Sequence, residues 1–496
     1  MNSIGATSRS RPVRQLLTES LVLGVFGCVC ALVAGNWIVQ AAVAAGRRSL
    51  PRANEIHLDA RTLGFSVVLA IAAWFLSSLV PALRLPKAGL EESLRQGGRT
   101  GPSMKRRVSS ALVLAEVALS MNLLATAGLF VHSFWKLSRV DPGFQAGALL
   151  TAQVSLPSGR YPQVRRLQFF DELYQRLSRL PDVRSVAAIN ILPLSGSHSC
   201  DAIQVDAHRV PTGRAPCAET RSVSANFFRV MGIPLIRGRE FDARDREDSQ
   251  NVVMINKAMA EWLWPGEDPL GQTITIVSLG PAELPRQIVG IVGNTVHASL
   301  AEPPVPQYYI PQHQPPGYQA MTLVVRTDRP TAVPASLRTE LAQMDPNIPP
   351  FNVRTLDELR DASVASPRFR TLLFGAFALV ALALAMGGVY GVLSYTVTQR
   401  MHELGLRMCL GARQSDIAWL VIRHSMAPVA LGVVLGLAGA MATQRWAAAS
   451  LYGVNRLDSW TFIAMPATLA VAALAAIAGP LWRATTSDPV VAMRDV

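Results

Sequence analysis

The chain has 496 residues, of which half are hydrophobic and only 16% are charged, and its mean hydropathy is positive at +0.26. This composition is too apolar for a soluble protein of this length. The formal net charge is +13, yet residues 136–369 carry 24 basic and 23 acidic residues, so most of the excess lies elsewhere, in short segments beside apolar runs. A nucleic-acid-binding protein would need a basic patch on a folded domain, and this class is therefore excluded.

Six apolar runs reach the length of about 20 residues that a helix needs to cross the hydrocarbon of a membrane. The alternative is a set of buried helices in a large soluble core, but such helices rarely run this long without a charge. The chain is therefore predicted to be a multi-pass α-helical membrane protein with six transmembrane helices, at residues 20–46, 62–83, 108–135, 371–399, 425–444 and 459–482.

Basic residues are concentrated before the first apolar run, between the second and third, and between the fourth and fifth. Because loops rich in Lys and Arg stay on the cytoplasmic side, these three segments are predicted to be cytoplasmic. Four arginines between the first and second runs break this rule. The predicted protein spans a bacterial inner membrane with both termini in the cytoplasm, and its segment 136–369 lies in the periplasm.

Two parts of the chain share a pattern of residues at a constant separation of 399 positions. The first copy consists of Asp59, Pro81, Arg84, Leu94 and Arg95, and the second of Asp458, Pro480, Arg483, Met493 and Arg494. Only the second copy is preceded by a large periplasmic segment with apolar runs on both sides. Residues 1–100 are therefore interpreted as the remnant of a preceding membrane module, reduced to its last two transmembrane helices.

Residues 136–369 are predicted to form an α/β periplasmic domain inserted between the third and fourth transmembrane helices. Apolar periodicity predicts a strand–helix–strand unit near each end, within 149–191 and 321–356, with a smaller mixed α/β insert between them. The proline-rich segment 298–318 is predicted to be an extended loop.

Two of the five cysteines, Cys200 and Cys217, lie in this periplasmic domain. An oxidising compartment permits disulfides, so the two are predicted to form one. The alternative is a pair of small buried hydrophobic side chains. The chain shows no C-x-x-C motif and no His/Cys cluster with metal-binding spacing, so the sequence predicts no metal site.

The motifs of an ATP-hydrolysing enzyme are missing from the chain. A phosphate-binding loop needs a lysine directly after a glycine, and none of the four lysines follows one: Lys87, Lys105, Lys136 and Lys257. The Gly-x-Ser-x-Gly motif of hydrolases and the His-Glu-x-x-His motif of zinc proteases are also missing. The chain is predicted not to be an enzyme and to need no cofactor.

Segment 400–413, directly after the fourth apolar run, alternates polar and apolar residues at helical spacing. It could be an interfacial helix anchored to lipid headgroups by its arginines, or a docking helix for a cytoplasmic partner. The segment resembles the signature of MacB/FtsX-type ABC transporter permeases, in which a basic residue, Glu, an apolar residue, Gly, an apolar residue and Arg precede Leu-Gly-Ala. The resemblance implies that the ATPase-docking residues are His402, Glu403, Gly405, Arg407, Gly411 and Arg413.

Motifs at 227–239, 264–271 and 288–293 resemble the external domain of the same family, and the resemblance extends over about residues 103–496. It implies a transmembrane helix at 108–135, a MacB-like periplasmic core domain at 136–369 and an FtsX-like permease domain at 371–496. The last of these would hold three transmembrane helices and a cytoplasmic docking helix at about 400–413.

The function implied by this resemblance is transmission of ATPase-driven motion to the periplasmic domain, for efflux or envelope export. The implied partners are a separate ABC ATPase subunit, a second permease module in a homo- or heterodimer, the lipid membrane and a periplasmic adaptor. No nucleic acid is among them. The alternative function is a non-transporting envelope scaffold or regulator whose periplasmic domain binds a partner.

Glu116 is the one acidic residue within the six predicted spans. A carboxylate near the middle of a membrane is costly unless it is paired, protonated or able to reach the interface. It could therefore reach Arg106 or Arg107 at the cytoplasmic interface, or it could make a polar contact with another span, within the module or across a dimer.

Overall fold

The computed structural model describes residues 10–46, 59–82, 102–205, 217–276, 285–409, 413–447, 451–453 and 458–486. The chain divides into two compact units. One contains the apolar helices, in Met1–Trp135 and Ser366–Val496, and the other is Lys136–Ala365.

In chain order the elements begin with three helices, continue with a mixed α/β region, and end with three more long helices. They are α1 (Ser10–Gly46), α2 (Ala60–Ala82), α3 (Pro102–Ser138), β1 (Leu149–Ser155), α4 (Gln163–Ser178), β2 (Val183–Ile189), β3 (Cys200–Gln204), β4 (Cys217–Val223), α5 (Phe227–Met231), β5 (Leu235–Gly238), β6 (Val252–Asn256), α6 (Lys257–Leu263), β7 (Thr273–Ile276), β8 (Pro285–Val292), β9 (Gln307–Pro311), β10 (Ala320–Thr327), α7 (Val333–Met344), β11 (Phe351–Thr355), α8 (Leu356–Cys409), α9 (Gln414–Ala447) and α10 (Ser459–Thr486).

Within the described residues, four helices are long and apolar enough to cross a membrane. Their candidate spans are Ser110–Ser138, Leu356–Thr398, Met426–Gln444 and Ser459–Pro480. The apolar segments found in α1 and α2 are shorter, at Gly24–Gln40 and Ala60–Ala72. The structure therefore supports four of the six predicted spans by length and composition.

Glycines on α9 bring this helix into close contact with α3. A Cβ atom at position 436 would lie only 2.5 Å from the carbonyl oxygen of Ala118 and from Cβ of Met121. At position 432, a turn earlier, a Cβ would lie 2.8 Å from Cγ1 of Val117. Small residues four apart allow two helix backbones to approach closely in a membrane, so these two glycines set the spacing of α3 and α9.

The two aspartates of the sequence repeat occupy equivalent positions, each just before a helix. Asp59 Oδ1 accepts a hydrogen bond from the backbone N–H of Thr62 at 2.8 Å, and Asp458 Oδ2 accepts one from the backbone N–H of Thr461 at 3.2 Å. A side-chain oxygen that accepts from the third residue of a helix is a helix N-cap. The repeat therefore marks the starts of α2 and α10.

The unit Lys136–Ala365 contains both strand–helix–strand units predicted from the apolar periodicity. They are β1–α4–β2 and β10–α7–β11, and their strands form one antiparallel sheet in the order β11-β1-β10-β2. Helices α4 and α7 bury leucines of their apolar stripes in the same core as this sheet, including Leu173 and Leu177 of α4 and Leu337 and Leu341 of α7.

The remaining strands form a closed ring. β4 pairs with β3, and the pairing continues through β7, β8, β6 and β9 back to β4. Strand β5 adds to β8 outside this ring. The predicted insert is thus present, and its interior is filled by large apolar side chains such as Ile255, Trp264, Ile274 and Ile288.

The prediction that 298–318 is a loop throughout is wrong, because strand β9 lies inside it. Tyr308, Tyr309 and Ile310 are fully buried, and their backbone pairs with β4 on one side and with β6 on the other. Proline lacks the N–H that a sheet ladder needs and is confined to strand ends and edges. Pro306 precedes the strand and Pro311 is its last residue, so both stand where that loss is tolerated.

The predicted docking helix is not a separate element. α8 is one helix of 54 residues, and it continues from the predicted span 371–399 through the first part of the segment 400–413. No proline interrupts it after Pro367, so the helical hydrogen bonds can continue through the polar residues. The apolar periodicity ends near residue 399, but the helix itself does not.

Candidate functional site

Four of the predicted docking residues lie in the last turns of α8: His402, Glu403, Gly405 and Arg407. Positions 403 and 407 are one turn apart along this helix. Gly411 lies outside the described residues. Arg413 is exposed, and its backbone N–H donates to Oδ2 of Asp416 at 3.2 Å at the start of α9.

Glu116 lies on α3 against Gly388 of α8. A Cβ atom at position 388 would overlap Oε2 of Glu116 and would lie 2.8 Å from its Cδ. The carboxylate therefore occupies the space that the missing side chain leaves open. This placement favours the interpretation in which Glu116 contacts another span of the same module.

Further contacts join α3 and α8 along the same seam. The buried hydroxyl of Ser120 donates to the carbonyl oxygen of Ala381 at 2.9 Å, and the rings of Phe130 and Phe374 stack with centroids 4.6 Å apart. The hydroxyl of Thr371 is 3.2 Å from the carbonyl oxygen of Phe130. Because the α8 positions fall in number as the α3 positions rise, the two helices run antiparallel.

At the other end of α3, polar side chains connect this helix to the segment before α10. His132 Nδ1 lies 2.7 Å from Oδ2 of Asp458, and the hydroxyl of Ser133 accepts from the backbone N–H of Tyr452 at 2.7 Å. Burial alone would raise the pKa of Asp458, but hydrogen bonds from Thr461 and His132 outweigh it and hold this pKa below its usual range. Asp458 therefore both caps α10 and binds α3.

In the unit Lys136–Ala365, three side chains meet around Glu219 of β4, and two of them come from distant parts of the sequence. Oε1 of Glu219 lies 3.0 Å from Nδ1 of His198, and Oε2 lies 3.2 Å from Nε2 of His297. The guanidinium of Arg221 is 3.3 Å from Oε2 and lies against the imidazole of His297. Glu219, Arg221 and His297 are buried, whereas the side chain of His198 is 55% exposed.

The pKa values of Glu219 and His297 in this cluster differ from those of the same groups in water. Burial alone would raise the pKa of Glu219, but hydrogen bonds from Ser199 and His198 and the nearby positive charges lower it below its usual range. Burial and the charge of Arg221 lower the pKa of His297 to about 4. At neutral pH, Glu219 is therefore ionised and His297 is uncharged.

Sequence reasoning missed this cluster. Its two histidines are separated by 99 positions and flank no recognisable motif. The signal that could have pointed to it is the alternation of charged residues in Glu219-Thr220-Arg221, an unusual pattern for a strand that proves to be buried.

Cys200 and Cys217 lie beside this cluster, on the neighbouring antiparallel strands β3 and β4. Their Cα atoms are 5.7 Å apart and their sulfur atoms are adjacent. The Cα separation falls within the range of about 4.4–6.8 Å seen in disulfides. The geometry is therefore compatible with the predicted bond.

Comparison with known proteins gives two family matches. Residues 110–343 match the MacB-like periplasmic core domain, and residues 375–489 match the FtsX-like permease C-terminal domain. The first match overlaps α3 and the mixed α/β unit, and the second covers most of α8 together with α9 and α10.

Among curated proteins, the macrolide export ATP-binding/permease protein MacB of Bartonella quintana is 27% identical over 253 residues, covering 49% of this chain and 35% of that protein. The probable syringafactin export ATP-binding/permease protein SyfD of Pseudomonas syringae pv. tomato is 27% identical over 231 residues, covering 44% and 33%. MacB of Chromobacterium violaceum is 22% identical over 355 residues, covering 68% and 53%. The chain thus spans between about a third and about half of the length of these relatives.

Among solved structures, the periplasmic region of MacB from Actinobacillus actinomycetemcomitans aligns with 46% of this chain and 96% of its own length. The TM-score is 0.31 and the sequence identity is 17%. The extracellular domain of the ABC-type transporter YknZ from Gram-positive bacteria aligns with 41% of this chain, with a TM-score of 0.29 and 14% identity.

Proposed function

We propose that this chain, a multi-pass ABC transporter permease of the MacB/FtsX type, transmits ATPase-driven motion across the inner membrane to its periplasmic domain, for efflux or envelope export. The relatives named above are ATP-binding/permease proteins, and this chain matches only their permease part. The proposal therefore assigns ATP hydrolysis to a separate ABC ATPase subunit and no catalysis to this chain.

The observation that carries the proposal is the continuity of α8. This single helix begins directly after the last strand of the mixed α/β unit and extends to Cys409, within the segment that carries the predicted docking residues. At 1.5 Å per residue, its 54 residues measure about 80 Å. Pro367 lies inside this helix, and a proline there removes a backbone hydrogen bond. From Pro367 to Cys409 no further proline interrupts it, so a displacement at Cys409 can be carried along this part of the helix without a flexible joint.

The contacts between α3 and α8 give this displacement a second path. Glu116 against Gly388, Ser120 on the backbone of Ala381, and the stacked rings of Phe130 and Phe374 lie along one seam. Both helices continue across the boundary between the two compact units. Motion of α8 would therefore draw α3 with it.

The proposal includes a topology and partners. The protein would cross the inner membrane six times with both termini in the cytoplasm, α1 and α2 supplying the first two spans as the remnant of a preceding module. The segment 136–369 would be the periplasmic core domain. A second permease module, in a homo- or heterodimer, would complete the membrane assembly, and a periplasmic adaptor is a further proposed partner.

The experiment is to purify the full chain from its native membranes and to measure the amount of ABC ATPase that accompanies it and the rate of ATP hydrolysis. We expect Glu403→Lys and Arg407→Glu to reduce both, with the amount of permease in the membrane unchanged. The matched control is Arg423→Glu, which reverses an exposed charge on α9 outside the docking segment.

Equal ATPase recovery from wild type and from both docking variants would refute the docking role of this segment. If no ABC ATPase accompanies the wild-type chain, the alternative function as an envelope scaffold or regulator would be favoured.

A further inference from the structure

We propose that His198, Glu219 and His297 form a binding site for a divalent transition-metal cation of the zinc class. The site lies entirely within the unit Lys136–Ala365 and does not depend on the proposed transport function. Two imidazoles and one carboxylate are a ligand set that zinc binds in proteins, with a fourth position left open.

The first argument is geometric. One nitrogen from each histidine and one oxygen of Glu219 all lie within 4.8 Å of one another. Zinc holds nitrogen and oxygen ligands at about 2.0–2.2 Å, so two ligands at tetrahedral angles stand somewhat more than 3 Å apart. The observed separations are 3.0 Å from Oε1 of Glu219 to Nδ1 of His198 and 3.2 Å from Oε2 of Glu219 to Nε2 of His297. Each imidazole therefore already lies beside one carboxylate oxygen, and rotation of these side chains would bring all three ligands onto one cation.

The second argument is that another group orients the carboxylate. The backbone N–H of Ser199 donates to Oε2 of Glu219 at 2.9 Å. Such an outer contact fixes the position of a ligating carboxylate in a metal site. His198 is the exposed member of the set, so the cation can enter from solvent on its side.

Arg221 opposes the cation with its own positive charge, because its guanidinium contacts both Glu219 and His297. It also donates a hydrogen bond to the backbone oxygen of Thr220, so it has a partner that does not depend on the site. The guanidinium should make the affinity of this site for Zn²⁺ lower than that of a buried structural zinc site. Binding is therefore expected to be reversible.

A bound cation would connect three segments that are distant in sequence. His198 precedes β3, Glu219 lies on β4, and His297 follows β8. The cation would thereby hold β3, β4 and the segment after β8 together, beside Cys200 and Cys217. Since a ligand that binds only the folded state stabilises it, zinc should raise the thermal stability of this unit.

The test is calorimetric titration of Zn²⁺ into the purified full chain, with affinity tags removed and no reductant present. The wild type should bind one equivalent. His198→Ala, which changes the exposed ligand and should fold normally, should weaken binding at least about tenfold, the lower bound for disturbing even an outer contact of a metal site. His297→Ala should have the same effect.

The matched control is His313→Ala. His313 also pairs with a carboxylate in the same unit, with Nε2 3.0 Å from Asp171, but it lies outside the three-ligand cluster. This variant should bind Zn²⁺ like the wild type. The proposal would be overturned if the wild type shows no saturable binding, or if His198→Ala binds as tightly as the wild type and His313→Ala do.

Discussion

The contact between Glu116 and Gly388 makes a sharp prediction about helix packing. Replacing Gly388 with Ala would place a Cβ atom on the carboxylate of Glu116, since that atom would overlap Oε2 and lie 2.8 Å from Cδ. Overpacking typically costs about 1–3 kcal/mol, and because the atoms in the way are the end of a flexible side chain, the cost here should lie at the lower end of this range. The neighbouring Gly387 provides the control, because a Cβ at that position would meet nothing within 4 Å.

Both substitutions share the gain in helix propensity, which is about 1 kcal/mol for Gly to Ala in a helix interior. The difference between them therefore isolates the clash. We expect Gly388→Ala to be about 1 kcal/mol less stable than Gly387→Ala, the lower end of the overpacking range. For a unit of this size, that corresponds to a thermal midpoint lower by about 2–4 °C, measured on the full chain in detergent.

The partner variant identifies the cause. Glu116→Ala removes the atoms that the new Cβ would meet, so the double variant with Gly388→Ala should recover the lost stability in a double-mutant cycle. If Gly388→Ala and Gly387→Ala unfold at the same temperature, or if Glu116→Ala gives no recovery, the assigned contact between α3 and α8 is wrong.

Three other predictions concern single features. Asp458→Ala should destabilise the chain by about 0.5–2 kcal/mol through the lost cap of α10. Because the pKa of Asp458 is depressed in the folded state, this contribution should be present above about pH 4 and lost as the pH falls further; equal effects of the variant at pH 3 and pH 7 would contradict it. Cys200 and Cys217 should be bonded in non-reducing mass spectrometry of protein with a periplasm-exposed domain, and Cys200→Ser should cost about 3 kcal/mol; two free thiols would refute this. Arg221→Met should tighten Zn²⁺ binding in the calorimetric titration, since it removes the opposing charge, and unchanged or weaker binding would show that Arg221 does not oppose the cation.

The parts of the fold that could be predicted depend on local periodicity. The apolar stripe that includes Leu173 and Leu177 predicts α4, and these residues are fully buried. Periodicity also explains one error. Three buried apolar residues between prolines are too short a run to signal β9. A change from apolar to amphipathic sequence near residue 399 likewise does not require a break in α8.

The candidate sites were less predictable because they depend on side chains that only the fold brings together. Glu116 could be singled out by its charge, but nothing in the sequence indicates that Gly388 lies opposite to it. Asp458 could be singled out by the repeat, whereas its contact with His132 joins positions 326 residues apart. The cluster around Glu219 combines three segments, and its histidines have no sequence spacing that would suggest a common site.

The contacts of α3 show why this helix is central to the proposed transmission. It meets α8 through Glu116 and Ser120, α9 through the two glycines at 432 and 436, and the start of α10 through His132. The two glycines of α9 lie against both side-chain and backbone atoms of α3, whereas the contacts with α8 and α10 are made by side chains that can change partners. Displacement of α8 would therefore reach α3 through these side chains, so loss of the contacts at Glu116 and Ser120 should decouple the two helices.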